Sequence, residues 1–525
     1  MPEAEPLYDV AVVGFGPSGA VAAGLLGQAG LRTYVCDRAQ GVYDKPRAIA
    51  LDHEIMRVFQ QLGVVEAVAP HTEPFTPSEY FGVDGQLIRR MTMVAPPYPL
   101  GYTPSLVFSQ PPVEQVLREH VAALDEVTIE LGVELIALAQ DPDAVTLQLR
   151  DLQGKKRSIR ARHVIGCDGA SSTVRSLLGL PLEDLDFDEP WLVVDVRVNE
   201  AGLARLPATS VQYCEPDRPS SFIIGPGRHR RWEISLHADE DPREAATPEA
   251  TWKLLSRWIG PADGELWRQA SYRFHALVAS RWRAGRVFVA GDAAHQQPPF
   301  LGQGMCQGIR DVGNLCWKIV AAQRGGLDGA ACEALLDSYG DERKDHVRAL
   351  TATIKGIGAV ICERDVARAR ARDAQLLEAC ASQVRDTPRQ DVLPRLAAGC
   401  LSRAAHSARG TLFPQPRVSA PDGRTGLMDA LAGCGWRLVL ERELEAAAHG
   451  LPHWHPTLGV LRLSAGAWQE HDGVVRAWME RHGCHAALVR PDHYVFGAAA
   501  DAKELAELLR DWQGWLARGE AVTTD

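Results

Sequence analysis

The segment VAVVGFGPSGAVAAGLL, near the start of the chain, limits the fold more than any other. Val10–Val13 form a short apolar strand that ends at Gly14, Gly16 and Gly19 in G-x-G-x-x-G spacing, and small residues then continue as a helix to about Ala29. A strand that turns this tightly into a helix predicts a parallel α/β unit. Gly14 permits the turn, Gly16 lets backbone approach a pyrophosphate, and Gly19 lets helix and strand pack closely, while the helix start attracts the anion. The run LRTYVCD predicts the next strand. It ends at Asp37, eighteen positions past Gly19, where an acid can accept from a ribose hydroxyl. This pattern marks a dinucleotide site without separating FAD from NAD; the plainer alternative is a glycine-rich turn in any α/β domain.

A chain of 525 residues exceeds what one core usually organises, so two or three domains and room for a large cofactor are expected. A net charge of −11 offers no field for nucleic acid or anionic lipid. No stretch reaches the ~20 apolar residues of a membrane span, and Glu3 and Glu5 stand where a signal peptide carries cations. Eleven cysteines, an odd number without a C-x-x-C pair, argue against a disulfide framework or a zinc site and fit a reducing cytoplasm.

From about Val107 to Leu180 the chain returns to the α/β pattern, with the helix PPVEQVLREHVAAL, the strands VTIELGVELIAL and AVTLQLRDL, and then ARHVIGCDGASSTVR. Between Trp191 and His275 the runs WLVVDVRV, TSVQYCE, SSFIIGPG and RWEISLHA predict an antiparallel sheet. Charged helices are expected after Val320 to about Ala405, then a proline-marked break at TLFPQPRVSAPDGRTG and a separate C-terminal module. The expected fold is therefore α/β and α+β. Residues 1–75, 105–185 and 276–345 form a Rossmann-like cofactor domain interleaved with an antiparallel-sheet substrate domain, 76–104 and 186–275. A helical linker, 346–410, and a module, 411–525, follow.

Two further turns sharpen the cofactor assignment. In VIGCDGASSTVR a buried strand ends at Asp168–Gly169, followed by Ser172 and Arg175. In GRVFVAGDAAHQQPPFLGQGMCQGIRD a strand ends at Gly291–Asp292, Pro298 and Pro299 follow, and the Gly302–Gly304 turn opens a helix marked by Ile309, Val312, Cys316 and Ile319. That helix start carries about half a positive charge, suited to the pyrimidine edge of a reduced flavin. Asp292 could accept from ribityl hydroxyls, and the prolines form a rigid wall.

Together with PRAIALDHEIMRVFQQLG and RRWEISL, these segments resemble the single-component flavoprotein aromatic hydroxylases that use FAD and NAD(P)H, most closely the 3-(3-hydroxyphenyl)propionate hydroxylase-like enzymes. The resemblance implies non-covalent FAD held at Gly14, Gly16, Gly19, Asp37, Arg38, Arg47, Gln110, Asp168, Asp292, Pro299, Gly302, Gln303, Gly304 and Met305. It implies NADH or NADPH as a transient co-substrate, and dioxygen delivered through a flavin hydroperoxide to a small phenol ortho to its hydroxyl.

Such a reaction benefits from a group that activates the phenol. By the same analogy Asp52 or His53, in ALDHE, is the candidate partner, with Pro298 beside the ring; Asp52 capping a helix is the equally weighted alternative. Tyr102, Tyr213, Phe222, Trp232 and His237 are the candidate pocket residues, and Arg197, Arg230 or Arg231 could meet a substrate carboxylate. His295 reads as structural. The C-terminal module resembles the thioredoxin-like tail of some of these hydroxylases but lacks C-x-x-C, so its isolated Cys434 and Cys484 suggest packing or homodimer contacts rather than thiol chemistry. Competing assignments are a tailoring hydroxylase of a larger polyketide or quinone-like aromatic, and an FAD-binding redox sensor without turnover. A flavin halogenase is disfavoured because W-x-W-x-I-P is missing.

Overall fold

The structure, a computed structural model, describes residues 7–324, 327–381, 383–441, 444, 458–464 and 467–516. Strand Leu7–Val13 lies between Thr33–Asp37 and Lys156–Gly166 and runs parallel to both. Val127–Leu131 continues the parallel array on one side and Val287–Val289 on the other. Helix Pro17–Gln28 packs against helices Gln110–Ala122 and Gly304–Gln323. Covered in this way, Val10, Ala11 and Val12 are fully buried, and the strand reads as a continuous apolar run rather than an alternating one. Its consequence for the site is direct. Three adjacent parallel strands, drawn from distant parts of the chain, end side by side at Gly14, Asp168 and Gly291.

A second sheet runs in the order His295–Gln296, Gly264–Ala279, Leu182–Val198, His229–Ser235, Ser220–Ile224, Ser210–Tyr213, Ser78–Phe81, Leu87–Thr92 and Arg385–Pro388. It is mixed rather than purely antiparallel, because Ser210–Tyr213 and Arg385–Pro388 each join a neighbour in parallel. Alternation gives it two different faces. Val194, Val196, Phe222, Trp232 and Ile234 turn outward beneath helix Pro248–Leu255. Trp191, Val193 and Cys214 turn inward against Phe300, Leu301 and the helix residues Leu350, Ile354 and Ile357.

The expected helical linker does not exist as a unit. One 33-residue helix, Gly329–Ile361, runs through the boundary placed at 345, its Leu336, Val347 and Ile354 packing on both cores. Helix Val366–Glu378 follows, and the chain then adds Arg385–Pro388 to the edge of the second sheet instead of continuing as helix to Ala405.

Beyond it, a four-stranded sheet has the order Leu458–Leu463, Trp436–Glu441, Ala486–Val489, Val495–Ala499, with the first pair parallel and the others antiparallel. Buried ion pairs bind it to the first domain. Arg57 meets Asp429 at 2.5 Å and the Phe413 carbonyl at 2.6 Å, and Arg437 pairs with the same Asp429. Glu342 lies 2.6 Å from Arg490 and 3.0 Å from Lys318. All eleven cysteines are free, and among the described residues no helix is long and apolar enough to cross a membrane.

These pairs make stability depend on the module contact. Asp429→Ala leaves two buried guanidinium groups unpaired and is expected to cost about 3–5 kcal/mol, measured by denaturant unfolding. Burial alone would raise the Glu342 pKa, but Arg490 and Lys318 hold it down at about 2. Its folded pKa is thus below the unfolded one, so its contribution is complete above the ordinary glutamate range and is lost as pH falls towards 2. Acid unfolding of Glu342→Gln should accordingly be less steep over that window than in the parent.

Candidate functional site

The glycine turn has the geometry its spacing predicts. Gly14 sits at φ +99°, and a Cβ there would overlap the Cys167 carbonyl; a Cβ on Gly19 would overlap the Gly14 carbonyl. Beside Gly16 there is open space, and helix Pro17–Gln28 begins there without a side-chain cap. Its first N–H groups are therefore left for an anion. Asp37 accepts from Phe15 N and Ala39 N, each at 2.7 Å, and so ties the turn to the end of the neighbouring strand.

Arg38 and Arg47 are exposed on the same rim. Gln110 is used differently from the direct cofactor contact expected of it. It is buried, its Oε1 accepts from Arg47 N at 3.2 Å and Ala48 N at 2.6 Å, and its amide donates to Glu114. The glutamine fixes the path of the Arg47 backbone. Asp168 likewise is committed within its own turn, accepting from Ser172 Oγ at 2.5 Å and Val174 N at 3.0 Å. Arg175 joins that turn to the third one by donating to the Ala170 and Ala293 carbonyls.

In the third turn, Asp311 gathers the structure from inside. It accepts from Gly291 N at 2.9 Å, His295 at 2.7 Å and Arg343 at 2.9 Å, and His295 stacks on Trp282. His295 is structural, as its sequence context suggests. Asp292 instead opens into the cleft, where the surrounding protein raises its pKa by desolvation while His295 and Arg47 oppose the rise. Pro298 is buried, and Pro299–Leu301 form a single tight turn ending at Gly302, φ +65°. Helix Gly304–Gln323 then starts with no side-chain cap, and a Cβ at Gly304 would meet nothing. Met305 packs partly on the main core. An uncapped helix start at each end of the cleft, open space at Gly16 and Gly304, and an available carboxylate at Asp292 fit an extended flavin dinucleotide.

Asp52 and His53 do not fit the role of phenol base. Asp52 caps helix His53–Leu62 through Glu54 N and Ile55 N, and its other oxygen meets Arg310 at 2.5 Å and Gln303 at 3.2 Å. Burial would raise its pKa, but Arg310 overrides it and leaves the carboxyl below its usual range, a poor proton acceptor. His53 is buried, and desolvation lowers it to about 4. Both belong to the frame beneath the turn. Gln303 is part of that frame too, since its side chain also accepts from Arg310 at 2.8 Å. On the other side Arg389 donates to the Leu301 carbonyl at 3.0 Å and lies over Phe75.

The proposed pocket residues are corrected by sheet parity. Tyr213, Phe222 and Trp232 all lie on the outward face; Trp258 donates to the Tyr213 hydroxyl at 3.1 Å, and Phe222 packs on Trp232. Tyr102 donates to Gln60 at 2.6 Å, near Asp429 of the C-terminal module. His237 sits in a loop past the strand end, its N–H bound to Glu240. Of the arginines, Arg230 is bound to loop carbonyls, Arg231 to Asp195 and the Arg47 carbonyl, and Arg197 lies over Trp267 in an open outer cleft.

What faces inward is a polar row in cross-strand register: Gln212, Ser221 and Glu233, ending at Val193. Alternation in RRWEISL could have found it, because once Trp232 and Ile234 point one way Arg231, Glu233 and Ser235 point the other.

The chain matches the FAD binding domain family over residues 7–353. It is 37% identical over 515 residues, 96% of the chain and 94% of the relative, to a probable NADH-specific resorcinol 4-hydroxylase of Rhodococcus jostii (strain RHA1). It is 32% identical, with 97% of each chain covered, to a 3-(3-hydroxy-phenyl)propionate/3-hydroxycinnamic acid hydroxylase of Burkholderia cenocepacia (strain HI2424). The fold matches the crystal structure of the flavin-dependent monooxygenase PieE in complex with FAD and substrate, with TM-score 0.82, 22% identity, and 98% and 100% coverage of this chain and that one.

Removing the carboxylate of Asp292 is expected to weaken FAD binding about 10- to 100-fold, the size of one lost charged hydrogen bond. Fluorescence titration of apoprotein with FAD measures this. Gly19→Ala, which pushes a methyl group into the Gly14 carbonyl, should abolish retention altogether.

Proposed function

The chain belongs to the FAD binding domain family and is an FAD-dependent aromatic hydroxylase; from that premise we propose that its substrate is a single-ring phenol, of the resorcinol or 3-hydroxyphenylpropanoid kind. NADH is the reductant, dioxygen the oxidant, and the new hydroxyl enters ortho to an existing one. The observation that carries this is the match along nearly the whole chain, at 37% and 32% identity, to two relatives named for single-ring phenols. Tailoring of a larger polycyclic substrate is not favoured by these relatives, and neither is a sensor without turnover.

Bound FAD supplies the redox chemistry that links a reduced nicotinamide to dioxygen and the aromatic ring. The chain's own residues do the rest. The glycine turn and the Arg47 segment, the latter fixed by Gln110 and Arg231, would hold the pyrophosphate half. Asp292 would accept from the ribityl chain, and the uncapped N–H groups at Gly304 and Met305 would be available to the pyrimidine edge of the bound flavin. The buried Pro298, and Phe300 packed against Trp191 and Phe274, would help close the bound ring's surroundings to water. One G-x-G-x-x-G unit serves FAD, so the nicotinamide visits rather than resides.

The strand order of the C-terminal sheet, two parallel strands followed by two antiparallel ones, supports the thioredoxin-like reading. Without a paired thiol it serves as packing, and eleven free cysteines suit a cytoplasmic setting.

Purified holoprotein should oxidise NADH slowly alone and much faster with resorcinol or 3-(3-hydroxyphenyl)propionate, giving a product one oxygen atom heavier by mass spectrometry. No product from any single-ring phenol, with turnover of polycyclic phenols instead, would sink the proposal. Replacing Cys434 and Cys484 together with Ser should leave product formation within about twofold, the range of ordinary substitutions remote from the chemistry.

A further inference from the structure

Glu233 has no partner of the kind its burial demands. It is 4% exposed and sits in the middle of the inward row, between Ser221 on one neighbouring strand and Val193 on the other. The acid in the next row is matched. Asp195, one row away, is bracketed by Arg231 at 2.7 Å and His229 at 2.7 Å. The carboxylate of Glu233 makes no hydrogen bond and no ion pair among the described residues, although a buried carboxylate normally needs both.

Its position is fixed from both ends of its strand. Arg231, two residues before it, is tied to the Pro46 and Arg47 carbonyls of the pyrophosphate-binding rim. Ser235, two residues after it, accepts from Arg364, and its cross-strand neighbour Trp191 packs on Phe300 of the Pro298–Gly302 turn. Glu233 thus projects from the wall that spans the rim and the flavin-facing turn.

We propose that Glu233 is the catalytic residue that receives the phenol proton of the substrate. This rests on the assignment of the chain as a phenol hydroxylase. The O–H bond breaks, the proton goes to a Glu233 carboxylate oxygen, and the electron pair stays on the phenol oxygen, enriching the ortho carbon that takes up oxygen. Oxygen uptake breaks the O–O bond of dioxygen at the expense of the two electrons from NADH; the ortho carbon then loses its hydrogen as a proton, which leaves with the second oxygen atom as water, while the proton held by Glu233 returns to the phenol oxygen, so the ring is aromatic again and the carboxylate is regenerated. Ser221 and Gln212, joined to each other at 2.5 Å, continue the row and can hold a second substrate hydroxyl.

Burial raises Glu233 to about 7, against the pull of Arg231 and Arg268 and with a push from Asp195. Arg231 shares its strand, Asp195 lies on the adjacent strand and Arg268 on the strand beyond that; Ser221 faces it from the other side, and the packing helix presents Leu350, Ile354 and Ile357 to the same face. A group poised near neutrality is matched to general-base work.

The test compares holoenzyme and Glu233→Gln at several pH values with phenols of graded acidity. The parent's kcat/KM should rise with pH through an ionisation near 7. The variant should keep its FAD and its reduction by NADH, hydroxylate an ordinary phenol roughly 10²–10⁴-fold more slowly, divert oxygen to hydrogen peroxide, and lose that pH limb. A nitro-substituted phenol, ionised before it binds, should recover most of the rate. Equal rates and profiles in parent and variant overturn the proposal, as do loss of FAD from the variant, an equal defect with every phenol, or a parent profile flat between pH 6 and 8. A parent that hydroxylates no phenol refutes the underlying assignment instead.

Discussion

Arg310 is the charge around which the turn from Pro298 to Gly304 is built. It lies buried with Asp52 and Glu54 each at 2.5 Å and Gln303 at 2.8 Å. A guanidinium group removed from water must be compensated by donors' partners in the right places, since its isolated burial costs several kcal/mol. Those partners come from three parts of the chain: the Asp52 cap and first turn of helix His53–Leu62, the turn before helix Gly304–Gln323, and, through the hydroxyl of Tyr494 on Glu54 at 3.0 Å, the C-terminal module. The position of the turn is therefore set by a charge that none of its neighbours can release without loss. Asp311 repeats the logic one helical step away, with Arg343, His295 and Gly291 as its partners.

The cofactor half of this arrangement was readable from the residues because its signals are local. A glycine that must accept φ +99°, an acid at a strand end and a helix that starts after a turn are each specified within a few positions, and each stands where the spacing puts it. The substrate half was not, because it depends on which face of a sheet turns inward. Tyr213, Phe222 and Trp232 are large and aromatic, which suits a ligand pocket and a helix-covered core equally well; the chain used them for the core. Asp52 shows the same ambiguity at one residue, since an acid before a helix caps it whether or not a ligand is near. Nor could local pattern show that Arg385–Pro388 would find a partner strand almost 300 positions earlier.

The inner face shows how a buried sheet can carry chemistry without losing its core. Its apolar members, Trp191, Val193 and Phe274, cluster against Phe300 at one end. Its charged members lie at the other end, where Arg231 and Arg268 share Asp195 and reach the Pro46 and Arg47 carbonyls. Between the two lie Gln212 and Ser221, bound to each other, and Glu233, which has no side-chain partner among the described residues. Stability and recognition are thus divided along the strand direction of a single surface.

The three turns that meet at the cofactor site come from strands ending near residues 14, 168 and 291, and this fixes when the site can first exist. Until Val287–Val289 leaves the ribosome, strand Lys156–Gly166 has one parallel edge bare, and the first glycine turn faces no second wall. At 5–20 residues per second, roughly 6–25 s of synthesis separate the end of that strand from the end of Val287–Val289, when the pocket can close. During that interval the nascent chain carries an apolar sheet edge that non-local pairing alone can cover, a topology that folds slowly. Newly made protein of this kind should lean on chaperones and on the early arrival of FAD, which would bind and hold the finished pocket as soon as its last wall appears.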